Sequence, residues 1–257
     1  MFVALKTDLD ALLRLMTERF TFSPVAYFSP CGCNSRRPLH EVLKLGFREE
    51  PGPEGGRRHG TMGKGLSTIG FDADDTLWQN EQFFRLTETR FTELLSDHAE
   101  PDHLLERLLE AEKRNLDHYG FGIKGFTLSM IETAVEVTEG RVPAGVIGEI
   151  LAAGREMLRH PVETLPHVRA TLEALTGSFR LVMITKGDLF DQERKLAQSG
   201  LGDFFDAVEI VSDKTAATYE RVFSRHGDGA TRAMMVGNSL KSDVAPAIQA
   251  GIWGVYV

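Results

Sequence analysis

Three carboxylates, Asp72, Asp74 and Asp75, fall within four positions and are followed at once by Thr76. They end the short apolar, glycine-bearing run Thr68-Ile69-Gly70-Phe71. Like charges this close repel and raise one another's pKa, so a cation, either a metal ion or a lysine, has to sit among them. Three more polar groups share this placement, each directly after an apolar run. They are Thr185-Lys186-Gly187-Asp188, Ser212-Asp213-Lys214-Thr215 and Gly237-Asn238-Ser239-Leu240-Lys241-Ser242-Asp243. Asp188, Thr215 and Ser239 are of the types that cap helix N-termini. Capping alone does not account for four groups that together supply carboxylates, hydroxyls and lysines.

Two other uses of the first group fail on spacing. Gly63-Lys64 has the wrong glycine spacing for a phosphate-binding loop, and its lysine precedes a strand instead of opening a helix. The D-x-D start of a calcium loop fails because Leu77 stands where glycine is needed and no glutamate closes the loop.

The elements that must hold these groups can be read from the surrounding pattern. From Pro161 onward, helices expected over about 166–176, 188–199, 215–226 and 240–250 alternate with strands over 179–184, 207–211, 232–236 and 253–257. Short β-branched runs separated by helices predict an α/β protein with a parallel, doubly wound (Rossmann-like) sheet covered on both faces. Ligands bind such sheets at the carboxyl ends of the strands, so the four polar groups converge on one site. Between the first group and Pro161, four amphipathic sets predict a helical bundle inserted over 80–160. Within it, Tyr119-Gly120-Phe121-Gly122-Ile123-Lys124-Gly125-Phe126 is glycine-rich and aromatic, either a plain connection between helices or a loop that touches substrate.

This divides the chain into an N-terminal extension over 1–61, a catalytic core from 62–79 and 161–257, and a helical cap over 80–160. The extension has helical spacing over 5–20, then prolines and glycines that read as loosely structured chain. Its Cys31-Gly32-Cys33 has no second cysteine pair and reads as two bystander thiols. Met62, just ahead of the first strand, is a candidate start for the working protein. The chain ends at Val257 in an expected edge strand with no covering helix, which predicts that a longer form would be more stable.

Composition bounds the function. The 257 residues are 42% hydrophobic and 26% charged, with 29 basic and 37 acidic side chains and a net charge of -8. That balance argues against a nucleic-acid polymer or an anionic membrane as partner, since both need a basic footprint. Two cysteines exclude a disulfide scaffold. No run approaches the ~18 apolar residues of a membrane helix, and Asp8, Asp10 and Glu18 do not fit a targeting peptide. The expected setting is the cytoplasm, as a monomer or homodimer.

Asp72-x-Asp74-x-Thr76, then Thr185, then Lys214, then Gly237-Asn238-Ser239-x-x-Ser242-Asp243 resembles, in order and spacing, the four motifs of the haloacid dehalogenase-like (HAD) superfamily. The helical insert after the first motif is similar to that superfamily's C1-type cap. The resemblance covers about residues 66–257. It implies a Mg²⁺-dependent phosphatase acting on a small phosphorylated metabolite through an aspartyl-phosphate. Asp72 would be the nucleophile and Asp74 the general acid and base. Thr185 and the Lys186 backbone N–H would hold the phosphoryl group, and Lys214 would neutralise charge between Asp72 and phosphate. Asp243, Asp72 and the Asp74 carbonyl would bind the metal, with Asn238 contacting it or its water.

The chemistry supports these roles separately. Phosphoryl transfer needs a nucleophile, a cation over the phosphate oxygens and a proton donor for the leaving oxygen. A hard, oxygen-only site suits Mg²⁺. Asn238 departs from the pattern, which has an acid there, and predicts weaker Mg²⁺ binding. Asp75 departs too and reads as a turn or helix cap, with Asp188 and Asp213 as supporting acids. A 2-haloacid dehalogenase is one alternative, but it does not need Asp74. A phosphonate hydrolase would give Lys124 a covalent role. A catalytically degenerate phosphate-binding or regulatory module is the non-enzymatic alternative. Substrate choice is expected from the insert, with Trp78 and residues 119–126 as candidates.

Overall fold

Strand β2 (Thr68–Phe71) is buried at all four residues and pairs in parallel on both sides, with β3 (Arg180–Lys186) and β5 (Ala233–Gly237). The computed structural model describes residues 26–28 and 65–257. Within them, β4 (Ala207–Val211) adds to β3 and β6 (Trp253–Tyr256) adds to β5, both in parallel. Strand β1 (Ala26–Phe28) pairs antiparallel with β6, so the order is β1-β6-β5-β2-β3-β4. The parallel doubly wound sheet expected from the sequence is present, and β2 sits at its centre.

Side chains on a strand alternate between faces, and both faces here are apolar. On one, Ile69, Phe71, Leu181, Met183 and Val236 pack against Val168, Leu172 and Leu175 of helix α5 (Val168–Leu175). On the other, Val182, Ile184 and Met235 meet Tyr219, Val222 and Phe223 of α7 (Ala216–His226). Gly70 faces this second layer. A Cβ there would lie 2.7 Å from the Phe223 ring and 3.0 Å from Ile184 Cδ1, so only glycine lets α7 approach β2 this closely.

Four helices follow β2: α1 (Glu81–Leu94), α2 (Pro101–Tyr119), α3 (Ile123–Val137) and α4 (Ala144–Arg159). Leu104, Leu108, Ala111 and Asn115 recur at helical spacing and form the buried stripe of α2. Leu104 and Leu108 join Phe91, Phe126, Met130 and Ile150 in a separate apolar core. Pro101 opens α2 at a position where its missing N–H leaves no bond unmade. The insert leaves and re-enters the sheet domain through one ribbon. Trp78 bridges antiparallel to Thr164, the Gln79 N–H donates to the Glu163 carbonyl at 2.9 Å, and the Leu165 N–H donates to the Leu77 carbonyl at 2.9 Å.

Four features differ from the sequence expectations. Of the loop expected over 119–126, only 120–122 lies outside the helices, because α2 runs to Tyr119 and α3 starts at Ile123. Ala26–Phe28, expected as loose chain, forms β1; a three-residue run between prolines is too short to show periodicity. The outer edge of β6, expected to be open, is therefore paired. The helix expected over 240–250 begins as a π-helical turn, Leu240–Val244, before α8 (Ala245–Gln249). Pro246 explains this break: it has no N–H to give the Ser242 carbonyl four residues earlier. The Tyr219 hydroxyl donates to that carbonyl instead, at 2.9 Å. The expected helix over 5–20, the two cysteines and Met62 lie outside the described residues.

Candidate active site

The expected catalytic, phosphate-binding and metal-binding residues all line one cavity of about 360 Å³ at the carboxyl ends of the strands. Asp72 and Asp74 follow β2, Thr185 and Lys186 end β3, Lys214 follows β4, and Asn238 and Asp243 follow β5. The expected caps are also in place. Asp188 accepts the Asp191 N–H opening α6 (Leu189–Ser199), Thr215 that of Thr218, and Ser239 that of Ser242. They fix the chain just beyond each strand, and so the side chains beside them.

The floor of the cavity is a buried charge cluster. Lys214 Nζ donates to Asp72 Oδ1 and, at 2.7 Å, to Asp243 Oδ1, and all three residues are at most 6% exposed. The remaining oxygens are used: Thr76 Oγ1 donates to Asp72 Oδ2 at 3.1 Å, and the Ser239 N–H to Asp243 Oδ2 at 2.9 Å. Burial pushes the Asp72 carboxyl up to about 6, Lys214 opposes that shift and Asp243 adds to it. Burial also works against a charged Lys214, but the two carboxylates outweigh it and hold its pKa above the usual lysine value. Gly237 makes room for this cluster, since a Cβ there would fall 2.4 Å from Asp243 Cγ.

Asp74 belongs to a second, separate set of contacts. Its Oδ1 accepts from the Trp78 indole N–H at 2.8 Å and from Lys195 Nζ at 3.0 Å, and its Oδ2 accepts from Gln192 Nε2 at 2.8 Å. Thr185, 1% exposed, donates its hydroxyl to Gln192 Oε1 at 3.3 Å. Lys186 reaches across the mouth. Its Nζ donates to Ser242 Oγ at 3.1 Å and lies 4.3 Å from the centre of the Phe121 ring, and burial lowers its pKa.

Among the described residues, no three acidic, histidine or cysteine side chains converge as a metal centre. Two carboxylates do converge, Asp72 and Asp243, with the Asn238 amide on the same cavity wall. That oxygen donor set fits Mg²⁺, which takes one or two carboxylates and keeps water and substrate oxygens as its other ligands. The Asp74 carboxylate is occupied by its three donors, which leaves its backbone carbonyl as the group to offer a metal.

Asp75 is drawn away from the cavity floor. It has φ 58° and accepts the backbone N–H groups of Asn80 and Glu81 at 2.9 and 3.0 Å, capping the start of α1. Lys124 pairs with Asp188 at 2.9 Å and does not line the cavity. Trp78, expected as a substrate contact, is fully buried and serves Asp74 instead. Gly120, Phe121, Gly122, Ile123, Gly125 and Phe126 do line the cavity, as do Phe84, Glu112, Asn115 and Ser129 from the helices.

The comparisons agree with the geometry. The family model for haloacid dehalogenase-like hydrolases matches residues 66–251. The chain belongs to the haloacid dehalogenase-like hydrolase family. A curated relative, glyceraldehyde 3-phosphate phosphatase of Methanothermobacter thermautotrophicus, is 25% identical over 205 residues, spanning 75% of this chain and 85% of the relative. A haloacid dehalogenase-like family hydrolase from Xanthomonas campestris is 46% identical in its solved structure, with a TM-score of 0.72 over 79% of this chain and 84% of that one. L-2-haloacid dehalogenase from Xanthobacter autotrophicus shares the fold, at 18% identity and a TM-score of 0.51 over 73% of this chain and 75% of that one.

As a haloacid dehalogenase-like hydrolase, the protein carries two site residues that the sequence motifs do not single out, Gln192 and Lys195. Both lie on α6, one and two turns after Asp188, and their spacing looks like any polar helix face. Their burial, 2% and 7% exposed, is the signal that sets them apart. Among the described residues, no helix is long and apolar enough to cross a membrane.

Proposed function

We propose that this hydrolase cleaves small phosphate monoesters with Mg²⁺ as cofactor, through an aspartyl-phosphate formed on Asp72. Asp72 attacks phosphorus, and the bond from phosphorus to the ester oxygen breaks. Asp74 gives a proton to that leaving oxygen, then takes one from the water that attacks the aspartyl-phosphate and frees Asp72. Lys214 balances charge between Asp72 and the phosphate, and the Thr185 hydroxyl and the Lys186 N–H hold phosphoryl oxygens. Mg²⁺, held by Asp72, Asp243, the Asp74 carbonyl and Asn238, supplies positive charge over those oxygens when bound.

The observation that carries this assignment is the second carboxylate. Asp74 shares the cavity with Asp72 but has its own donors, so the two acids are held apart in chemistry as well as in space. Displacement of halide from carbon has no use for such a group. The curated phosphatase relative supports the same choice. The insert acts as the cap, and the 360 Å³ cavity suits a small metabolite.

Phosphate release from a panel of small phosphomonoesters, with and without Mg²⁺, tests the assignment against Asp72→Asn. Release should require Mg²⁺ and vanish in the folded variant. Release that survives in Asp72→Asn, or halide release from 2-haloacids without Mg²⁺, overturns it.

A further inference from the structure

Asp74 is held by more groups than its own loop supplies. Lys195 Nζ, reaching in from α6, donates to Asp74 Oδ1 at 3.0 Å and to Asn80 Oδ1 at 2.7 Å, and lies 3.4 Å from Asp191 Oδ2. The Gln192 amide bridges two site residues, giving its N–H to Asp74 Oδ2 and accepting from the Thr185 hydroxyl. The ionised carboxylate can only accept, so in that form the amide nitrogen faces Asp74. With the Trp78 indole, three donors from two segments fix both oxygens of one carboxyl group. A lysine only 7% exposed gives up hydration and rotamer freedom, and its three oxygen partners offset that loss.

We infer that Lys195, with Gln192 and the Trp78 indole, is a positioning residue for Asp74: it aims the carboxyl group at the leaving-group oxygen and ties it to Thr185. One helix face then sets both the phosphate contact and the proton-transfer group. Lys195 acts through Asp74. Its contact with Asn80, just ahead of α1, also joins Asp74 to the start of the helical insert. The inference rests on the phosphomonoesterase assignment and on Asp74 as the acid within it.

Proton donation matters only where the leaving oxygen is basic. Benzyl phosphate and 4-nitrophenyl phosphate are similar in size, but only the benzyl alkoxide needs a proton as it leaves. Lys195→Met should lower kcat/KM for benzyl phosphate by about 100-fold, and for 4-nitrophenyl phosphate by less than about fivefold. Trp78→Phe keeps the ring and loses the N–H, so it should show the same split, by about tenfold on benzyl phosphate. It decides the question if Lys195→Met, which removes the cation shared by Asp74 and Asp191, does not fold. Equal losses on both substrates mean a merely structural role and overturn the inference, with the phosphatase assignment intact. Wild-type protein that hydrolyses neither ester overturns both.

Discussion

Lys214 Nζ donates a 2.7 Å hydrogen bond to Asp243 Oδ1, with the lysine 4% and the aspartate 1% exposed. The same ammonium holds Asp72, so one cation serves two buried carboxylates. Lys214→Met leaves both uncompensated. The variant should lose about 3–5 kcal/mol of unfolding free energy without metal, as well as its turnover. Urea unfolding with and without Mg²⁺ checks this, and part of the loss should return with the metal, which supplies the missing charge.

The raised Asp72 carboxyl gives the protein a pH signature. Its pKa is about 6 in the folded chain against an ordinary 3.8, burial being the largest cause. Between those values the folded chain keeps a proton that the unfolded chain has lost. Stability from this group therefore falls as pH rises from about 4 through about 6, and the full cost is present above that. On the proposed assignment Mg²⁺ would bind the ionised carboxylate, so the rise in Tm on adding Mg²⁺ should be larger near pH 7.5 than near pH 5. Differential scanning calorimetry at the two pH values measures it. In parallel, kcat/KM should climb through about pH 6.

Asn238 stands on the cavity wall with the two carboxylates. Asn238→Asp adds a full negative charge at nearly constant shape. The Mg²⁺ concentration giving half-maximal activity should fall by about tenfold. A Mg²⁺ titration that does not move places the side chain outside reach of the metal.

Asp75 stands next to Asp74 but has a different task. Its carboxylate caps α1 from a left-handed backbone position. Asp75→Ala should cost about 1–2 kcal/mol through the lost cap and the added strain. Turnover of the folded variant should stay within about threefold of wild type, because no proton or phosphate contact is removed. Chemical denaturation and steady-state kinetics on one preparation separate the two effects.

The four strand-end groups were legible because each sits within a few residues of an apolar strand, where sequence proximity and spatial position coincide. Asp72, Thr185, Lys214 and Asp243 are far apart in the chain, yet a parallel sheet brings their ends together by topology alone. Gln192 and Lys195 were not legible in this way. They approach Asp74 from a helix interior, and only tertiary burial distinguishes them from solvated neighbours such as Glu193. Trp78 is hard to read for a related reason: an aromatic beside a cluster of acids suits a substrate wall equally well until its 2.8 Å bond to Asp74 is seen. The π-helical turn is the converse case, since Pro246 marks it but only Tyr219 shows where the freed carbonyl goes.

The ribbon at Trp78 and Thr164 gives the chain a natural seam. Everything from Asn80 to Pro161 departs and returns at neighbouring points, joined by backbone hydrogen bonds on both sides of the bridge. The helical bundle is therefore a cassette: a different bundle spliced between Gln79 and Glu163 would meet the same sheet and the same acids. The cut has two constraints. Trp78 must stay with the sheet, because its indole is already committed to Asp74. Asn80 travels with the bundle, so a transplanted bundle would need its own acceptor for Lys195.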